Sequence, residues 1–265
     1  MPEDAPVRTP RTILTFVGIG VTAGLLSGLF GVGGGTIIVP FLVMFLAYNQ
    51  RLAAGTSLAA IVPTATVGVI SYAVTDSVAW IPALILAAGS VIGAQIGTAL
   101  LPKISQTALR WGFVVFIVVV IVSLFIVVPS RDSQFVLDAM TISGLIVLGL
   151  ITGVLAGLLG VGGGVIVVPV LMVVFGISDL IAKGTSLLMM IPTAISGTIG
   201  NLRRKNVDIL GGLLIGLSAA ATTAVGAWIA VNIDPRIANA LFAGYLVFIA
   251  SQMVIKAIKG RRQQG

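Results

Sequence analysis

The sequence contains no cysteine and no histidine. The first absence excludes disulfides and thiolate chemistry, and the second removes the commonest metal ligand. Charge is also scarce, at 9% of 265 residues, against about 25% in soluble domains. A water-soluble fold of this length could not cover its surface with so few charges. Carboxylates are the rarest. All eight (Glu3, Asp4, Asp76, Asp132, Asp138, Asp179, Asp208 and Asp234) lie in the tail, in loops or at the ends of apolar runs. None stands at mid-membrane to relay protons, as pumps and antiporters usually require. Intramembrane Lys and Arg are missing too, which disfavours direct ion pairing with a multiply charged anion.

What is present is apolar. The hydrophobic fraction is 58% and the mean hydropathy is +1.18. Runs of 17 to 25 apolar residues recur, the length that crosses about 30 Å of hydrocarbon. In lipid the backbone must satisfy itself within helices or a closed barrel, and these runs are too long and too uniform for barrel strands. The expected class is an all-α polytopic membrane protein. The net charge of +7 does not indicate nucleic acid, because the basic residues sit between apolar runs and in the tail at Lys256, Lys259, Arg261 and Arg262, as in cytoplasmic loops.

The chain repeats itself. Residues 24–68 align with 153–197 without a gap, at an offset of 129, and 22 of the 45 positions are identical. Prolines, glycines and hydroxyls recurring together at one offset exclude chance similarity of apolar tracts. The same fold unit then appears twice. A cytoplasmic tail (1–11) leads into a first repeat (12–128), a linker (129–138), a second repeat (139–258) and a second cytoplasmic tail (259–265). In the first repeat a broken stretch at 12–47 precedes helices near 55–73, 79–101 and 107–128. In the second, a broken stretch at 139–176 precedes helices near 184–200, 209–231 and 237–258. The first apolar run belongs to the repeat, so it does not read as a cleaved signal peptide.

The broken stretch decides the topology. If it enters and returns to one side, three helices remain per repeat and the halves are inverted. Twelve of the 15 Lys and Arg residues then share the side of the C-terminus, against ten if the stretch crosses once. The positive-inside rule favours the returning hairpin, re-entrant or fully spanning, with both termini in the cytoplasm of a bacterial plasma membrane. Inverted repeats are a common architecture of secondary transporters.

The break lies at Gly31-Val32-Gly33-Gly34-Gly35 and again at Gly160-Val161-Gly162-Gly163-Gly164. Four glycines in five positions disfavour continuous helix. A helix restarting near Thr36 or Val165 presents unpaired amides and the positive end of its dipole, which suits an anion. The alternative is that the glycines only permit tight helix crossing. The Lys-Ser or Lys-Thr of a phosphate-binding loop is missing, and so is the βαβ unit of a dinucleotide site.

Pro40, Pro63, Pro169 and Pro192 are expected to kink their helices. The hydroxyls of Thr64 and Thr193 then face either an anion or a freed carbonyl. Thr56, Ser57, Thr185 and Ser186 read as helix N-caps or as ligand contacts along a path. Arg51 and Lys183, just before them, read as exposed loop charges that could draw anions in. Gln95, deep in an apolar helix, is expected to bond across helices or to touch a ligand. Gly20, Gly24 and Gly28 are spaced by four, as are Gly89, Gly93 and Gly97, and Gly149, Gly153 and Gly157. They read as packing faces.

The duplicated G-x-x-x-G-L-x-G-x-G-G-G-x-x-x-V-P pattern at 24–40 and 153–169 resembles the sulfite exporter TauE/SafE family, as do the GTS…PT segments at 55–64 and 184–193. The resemblance covers residues 12 to 258. It implies plasma-membrane carriers of sulfite, sulfoacetate and other organosulfonates, usually assigned seven or eight membrane segments. It points to Gly33, Gly34, Gly35, Pro40, Thr56, Ser57, Pro63 and Thr64 as signature positions, with Gly162, Gly163, Gly164, Pro169, Thr185, Ser186, Pro192 and Thr193 in the second repeat. The expected function is a secondary transporter of a small anion by alternating access. The alternative is a channel-like pore, and a membrane enzyme or assembly subunit forms a third class. The substrate-binding candidates are the three glycines of each break with Thr36, Thr56, Ser57, Thr64, Thr185, Ser186 and Thr193. No cofactor, metal or nucleic acid is expected. The expected partners are a small anionic substrate, membrane lipid and, unless the transport is passive facilitation, Na⁺ or a proton carried by the substrate.

Overall fold

The computed structural model describes residues 8–105 and 137–234 continuously, together with helical positions between 107 and 122 and between 236 and 254. The expected helices at 107–128 and 237–258 therefore lie partly outside the described residues. Eight α-helices are continuous. They are α1 (Pro10–Phe30), α2 (Gly35–Phe45), α3 (Gln50–Ala73), α4 (Trp80–Leu100), α5 (Ala139–Leu159), α6 (Gly164–Val173), α7 (Asp179–Leu202) and α8 (Ile209–Asn232). Among the described residues, six of these are long and apolar enough to cross a bilayer. The exceptions, α2 and α6, have 11 and 10 residues. At 1.5 Å per residue they reach only about 16 Å, half the hydrocarbon thickness.

Two helices begin earlier than their sequence suggests. α3 starts at Gln50 rather than Gly55, because Asn49 caps it by accepting from the Leu52 amide at 2.9 Å. α7 starts at Asp179 after Ser178 rather than at Gly184. The Gly-Thr-Ser segments thus lie inside helices and cannot cap them. Pro40, Pro63, Pro169 and Pro192 all sit inside helices that continue through them.

The repeat extends to backbone conformation. Left-handed φ values recur 129 residues apart, at Ala47 and Gly176 and at Asp76 and Lys205. Packing follows the same exchange. The most extensive interfaces are α1 with α8 and α4 with α5, so each repeat lays its first helix on a helix of the other. Glycine makes that approach close. A Cβ at Gly24 would lie 2.0 Å from Ala219 O, and one at Gly93 would lie 2.2 Å from Leu150 O. The spacing-of-four glycines are packing faces, as their pattern predicts. Successive contacts show direction. Gly20, Gly24 and Gly28 climb past Ile215, Ala219 and Thr223, so α1 and α8 run the same way. Gly68 meets Leu187 while Gly197 meets Leu58, so the central pair α3 and α7 runs oppositely.

The hairpin of α1 and α2 returns to its starting end. Arg8, before α1, and Tyr48, after α2, both bond the carboxylate of Asp208 at the start of α8. The surface is apolar, unlike that of a soluble protein, and the interior holds hydroxyls among its apolar side chains. Leu14, Trp80, Met140 and Trp228 are exposed, whereas Thr56, Ser57, Thr64, Ser90, Thr185, Ser186 and Thr193 are wholly buried.

Candidate functional site

The two glycine breaks meet in the middle of the protein. Gly31 ends α1 and Gly160 ends α5, both in the left-handed region, and Gly34 and Gly163 start α2 and α6 from the same region. With φ of +75° and +87°, Gly34 and Gly163 hold a conformation that other residues rarely adopt. The turns touch reciprocally. A Cβ at Gly35 would lie 2.7 Å from Gly160 O, and one at Gly164 would lie 2.9 Å from Gly31 O. Between them sit Ile61 and Met190, which occupy the same position in the two repeats. The Met190 methyl lies 2.0 Å from where Gly33 would carry a Cβ and 2.2 Å from the equivalent point at Gly162. This apolar pair fills the centre.

Neither short helix has a side-chain cap. In α2 the first amides with helical partners are those of Ile37 and Ile38, both donating to Gly34 O at 3.0 Å. The Gly35 and Thr36 amides precede that ladder, as helix geometry requires. Beside them a narrow crevice lies between α1 and α2, lined by Leu26, Ser27, Phe30, Val32, Thr36 and Ile37. It is too narrow for a water molecule. Ser27 is 1% exposed, and its Oγ has no hydrogen-bond partner. Sequence reading passed over Ser27, because a lone serine in an apolar run carries no local signal.

Three of the four hydroxyls of the Gly-Thr-Ser segments serve the opposite repeat. Thr56 Oγ1 accepts from the Asp208 amide at 3.0 Å, and Thr185 Oγ1 accepts from the Ala79 amide at 2.9 Å. Each threonine thus satisfies the backbone at the start of α8 or α4, the role that sequence reading assigned to their own helices. Ser57 Oγ donates to Gly160 O at 2.7 Å and pins the second glycine turn. Ser186 Oγ lies 3.9 Å from Met190 Sδ. Thr64 Oγ1 donates to Ala60 O and Thr193 Oγ1 to Met189 O, both at 2.8 Å. These are the carbonyls four residues back, one beyond those that Pro63 and Pro192 leave unpaired. Gln95 Nε2 bonds across to Ser196 O and Oγ on α7, at 2.7 and 2.9 Å.

Two expected loop charges are placed differently. Lys183 is buried inside α7, with Nζ 3.4 Å from Asp179 Oδ2. Arg51 lies in the first turn of α3 and donates to Pro102 O and Ile104 O at 3.1 Å each. The carboxylates of Asp179 and Asp208 stand at helix ends, as read, but both are 2% exposed. Burial alone would raise the pKa of Asp208. Hydrogen bonds from Arg8, Tyr48 and the Gly211 amide outweigh it and hold the carboxyl below its ordinary value. Burial, reinforced by that carboxylate, pushes the Tyr48 phenol up.

A family model described as "Sulfite exporter TauE/SafE" matches residues 2–124 and 145–265. The chain belongs to the TauE/SafE family. The TauE/SafE match includes both glycine breaks and both Gly-Thr-Ser segments. Relatives include "Probable membrane transporter protein YunE" of Bacillus subtilis, 25% identical over 93% of this chain and 99% of its own. "Probable membrane transporter protein YdhB" of the same organism is 27% identical over 75% of this chain and 83% of its own. "Probable membrane transporter protein MJ0441" of Methanocaldococcus jannaschii is 26% identical over 58% and 59%. No solved structure matches. With six helices among the described residues long and apolar enough to cross a bilayer, this TauE/SafE chain is a multi-pass membrane protein.

Proposed function

We propose that this membrane transporter is a secondary carrier of a small anion, sulfite or an organosulfonate, working by alternating access from a site at the paired glycine turns. The observation that carries the reading is the meeting of two uncapped, amide-bearing turns from opposite repeats at the protein's centre. Amides at a helix N-terminus hold negative charge without a basic side chain. A single charge spread over several oxygens matches that supply better than a multiply charged ion. The family membership supports the sulfur oxyanion.

The helix directions support inverted repeats. α1, α3 and α8 run one way, and α4, α5 and α7 run the other. Exchange of the repeats thus reverses the membrane-facing direction, and one half can adopt the shape that the other abandons. The end bearing Arg8, Arg203, Arg204 and Lys205 is then cytoplasmic by the positive-inside rule. Ile61 and Met190 closing the centre favour a carrier in an occluded state over an open pore. Methionine, unbranched and adaptable, suits a plug that must move aside. The coupling ion on this reading is Na⁺ held by carbonyls and hydroxyls, or a proton carried by the substrate.

Purified protein in liposomes tests the proposal. Uptake of labelled sulfite or isethionate should saturate and should accelerate when the same anion is loaded on the far side. A non-saturating current carried by the anion would replace the carrier with a pore. Failure of all small anions to move would remove the reading.

A further inference from the structure

The two glycine turns share a backbone but not a chemistry. In the first repeat the crevice beside the turn carries two hydroxyls, at Ser27 and Thr36. Their counterparts 129 residues on are Ala156 and Val165, and the hydroxyls that do lie near the second turn have partners in the protein: Ser57 on Gly160 O, Thr152 on Leu148 O and Ser186 on Met190 Sδ. Ser27 Oγ is buried with no partner in the protein. A buried hydroxyl without a partner is a net cost to folding, and an alanine there, as in the second repeat, would avoid it. Gly34 and Thr36 border the same crevice, at the N-terminus of an 11-residue helix.

We propose that the carrier binds its anion asymmetrically, in the first repeat only, with Ser27 Oγ, Thr36 Oγ1 and the leading amides of α2 as donors to one oxyanion group. The second turn then acts as a packing element, pinned by Ser57 on Gly160 O. The inference rests on the anion reading above and narrows it, since two matched turns would otherwise give two equivalent half-sites. The crevice is closed in this structure, so binding widens it by parting α2 from α1. Those two helices share a far smaller interface than α1 shares with α8.

The test is equilibrium binding of sulfite and of ethanesulfonate to the purified full-length protein. It compares wild type with Ser27→Ala, Thr36→Val, Ala156→Ser and Val165→Thr, each checked for its unfolding temperature without ligand. Ser27→Ala and Thr36→Val should weaken binding at least tenfold. A tenfold loss corresponds to about 1.4 kcal/mol. Ser27→Ala should unfold, unliganded, at or above the wild-type temperature, which a serine with a merely structural role would not allow. Ala156→Ser and Val165→Thr should leave the Kd within twofold. Wild-type binding that survives Ser27→Ala, or that changes equally with substitutions in either repeat, overturns the asymmetry and leaves the anion reading standing. Wild type that binds neither probe overturns both.

Discussion

Asp208 concentrates several constraints in one carboxylate. It caps α8 by accepting from the Gly211 amide at 3.1 Å, receives the Arg8 guanidinium and receives the Tyr48 hydroxyl. Since its pKa is held below the ordinary 3.8, the group contributes stability above that value. The contribution is lost as pH falls through the lower folded value. Asp208→Asn should therefore lower the unfolding temperature of detergent-solubilised protein at pH 7. The gap from wild type should close only below about pH 3.8, the ordinary carboxyl value. A gap that is constant across pH would mean that the carboxylate's charge does not hold the cluster. Neighbouring Gln50 is a contrasting case. It is buried, with neither amide atom bonded, so its burial is a net cost to folding.

At the scale of elements, close packing by glycine replaces the hydrophobic driving force that lipid removes. α4 and α5 approach through Gly89, Gly93 and Gly97 on one side and Gly149, Gly153 and Gly157 on the other. Gly93→Ala would push a methyl to 2.2 Å from Leu150 O and should destabilise by about 1–3 kcal/mol, the usual cost of overpacking. Gly18→Ala meets nothing within 4 Å and should instead raise stability, by up to about 1 kcal/mol of helix propensity. Unfolding temperatures of the two variants, measured side by side, check the contrast. These faces were legible in the sequence because spacing by four is a local signal. So were the two breaks, since glycine and proline act on their own backbone. The starts of α3 and α7 were misplaced because the Gly-Thr-Ser segments were the louder local signal. The true partners of Thr56 and Thr185 were not legible at all. Each bond joins residues more than 100 positions apart, and only the packing of the halves brings them together.

For the whole molecule, the exact offset of 129 carried the architecture, whereas side chains that differ between the repeats carried what the offset could not. The lack of cysteine makes the topology directly testable, since every introduced thiol is the sole reactive one. Arg11, Asp76, Lys205 and Asp234 are all exposed. Cysteines replacing Arg11 and Lys205 should react with an impermeant maleimide only in inside-out vesicles. Cysteines replacing Asp76 and Asp234 should react only in intact cells. Labelling of positions 76 and 205 from the same side would reject opposed halves.

The Arg8–Asp208–Tyr48 cluster has no mirror image. The corresponding positions are Leu137, Ala79 and Ile177, so this charged link has no counterpart at the equivalent positions of the other end. For a carrier built of opposed halves, the two outward swings then differ in cost. On the carrier reading proposed above, the population would rest with the bolted door shut. Turnover is limited by a different step according to the direction of travel, while the equilibrium distribution of the cargo is unchanged.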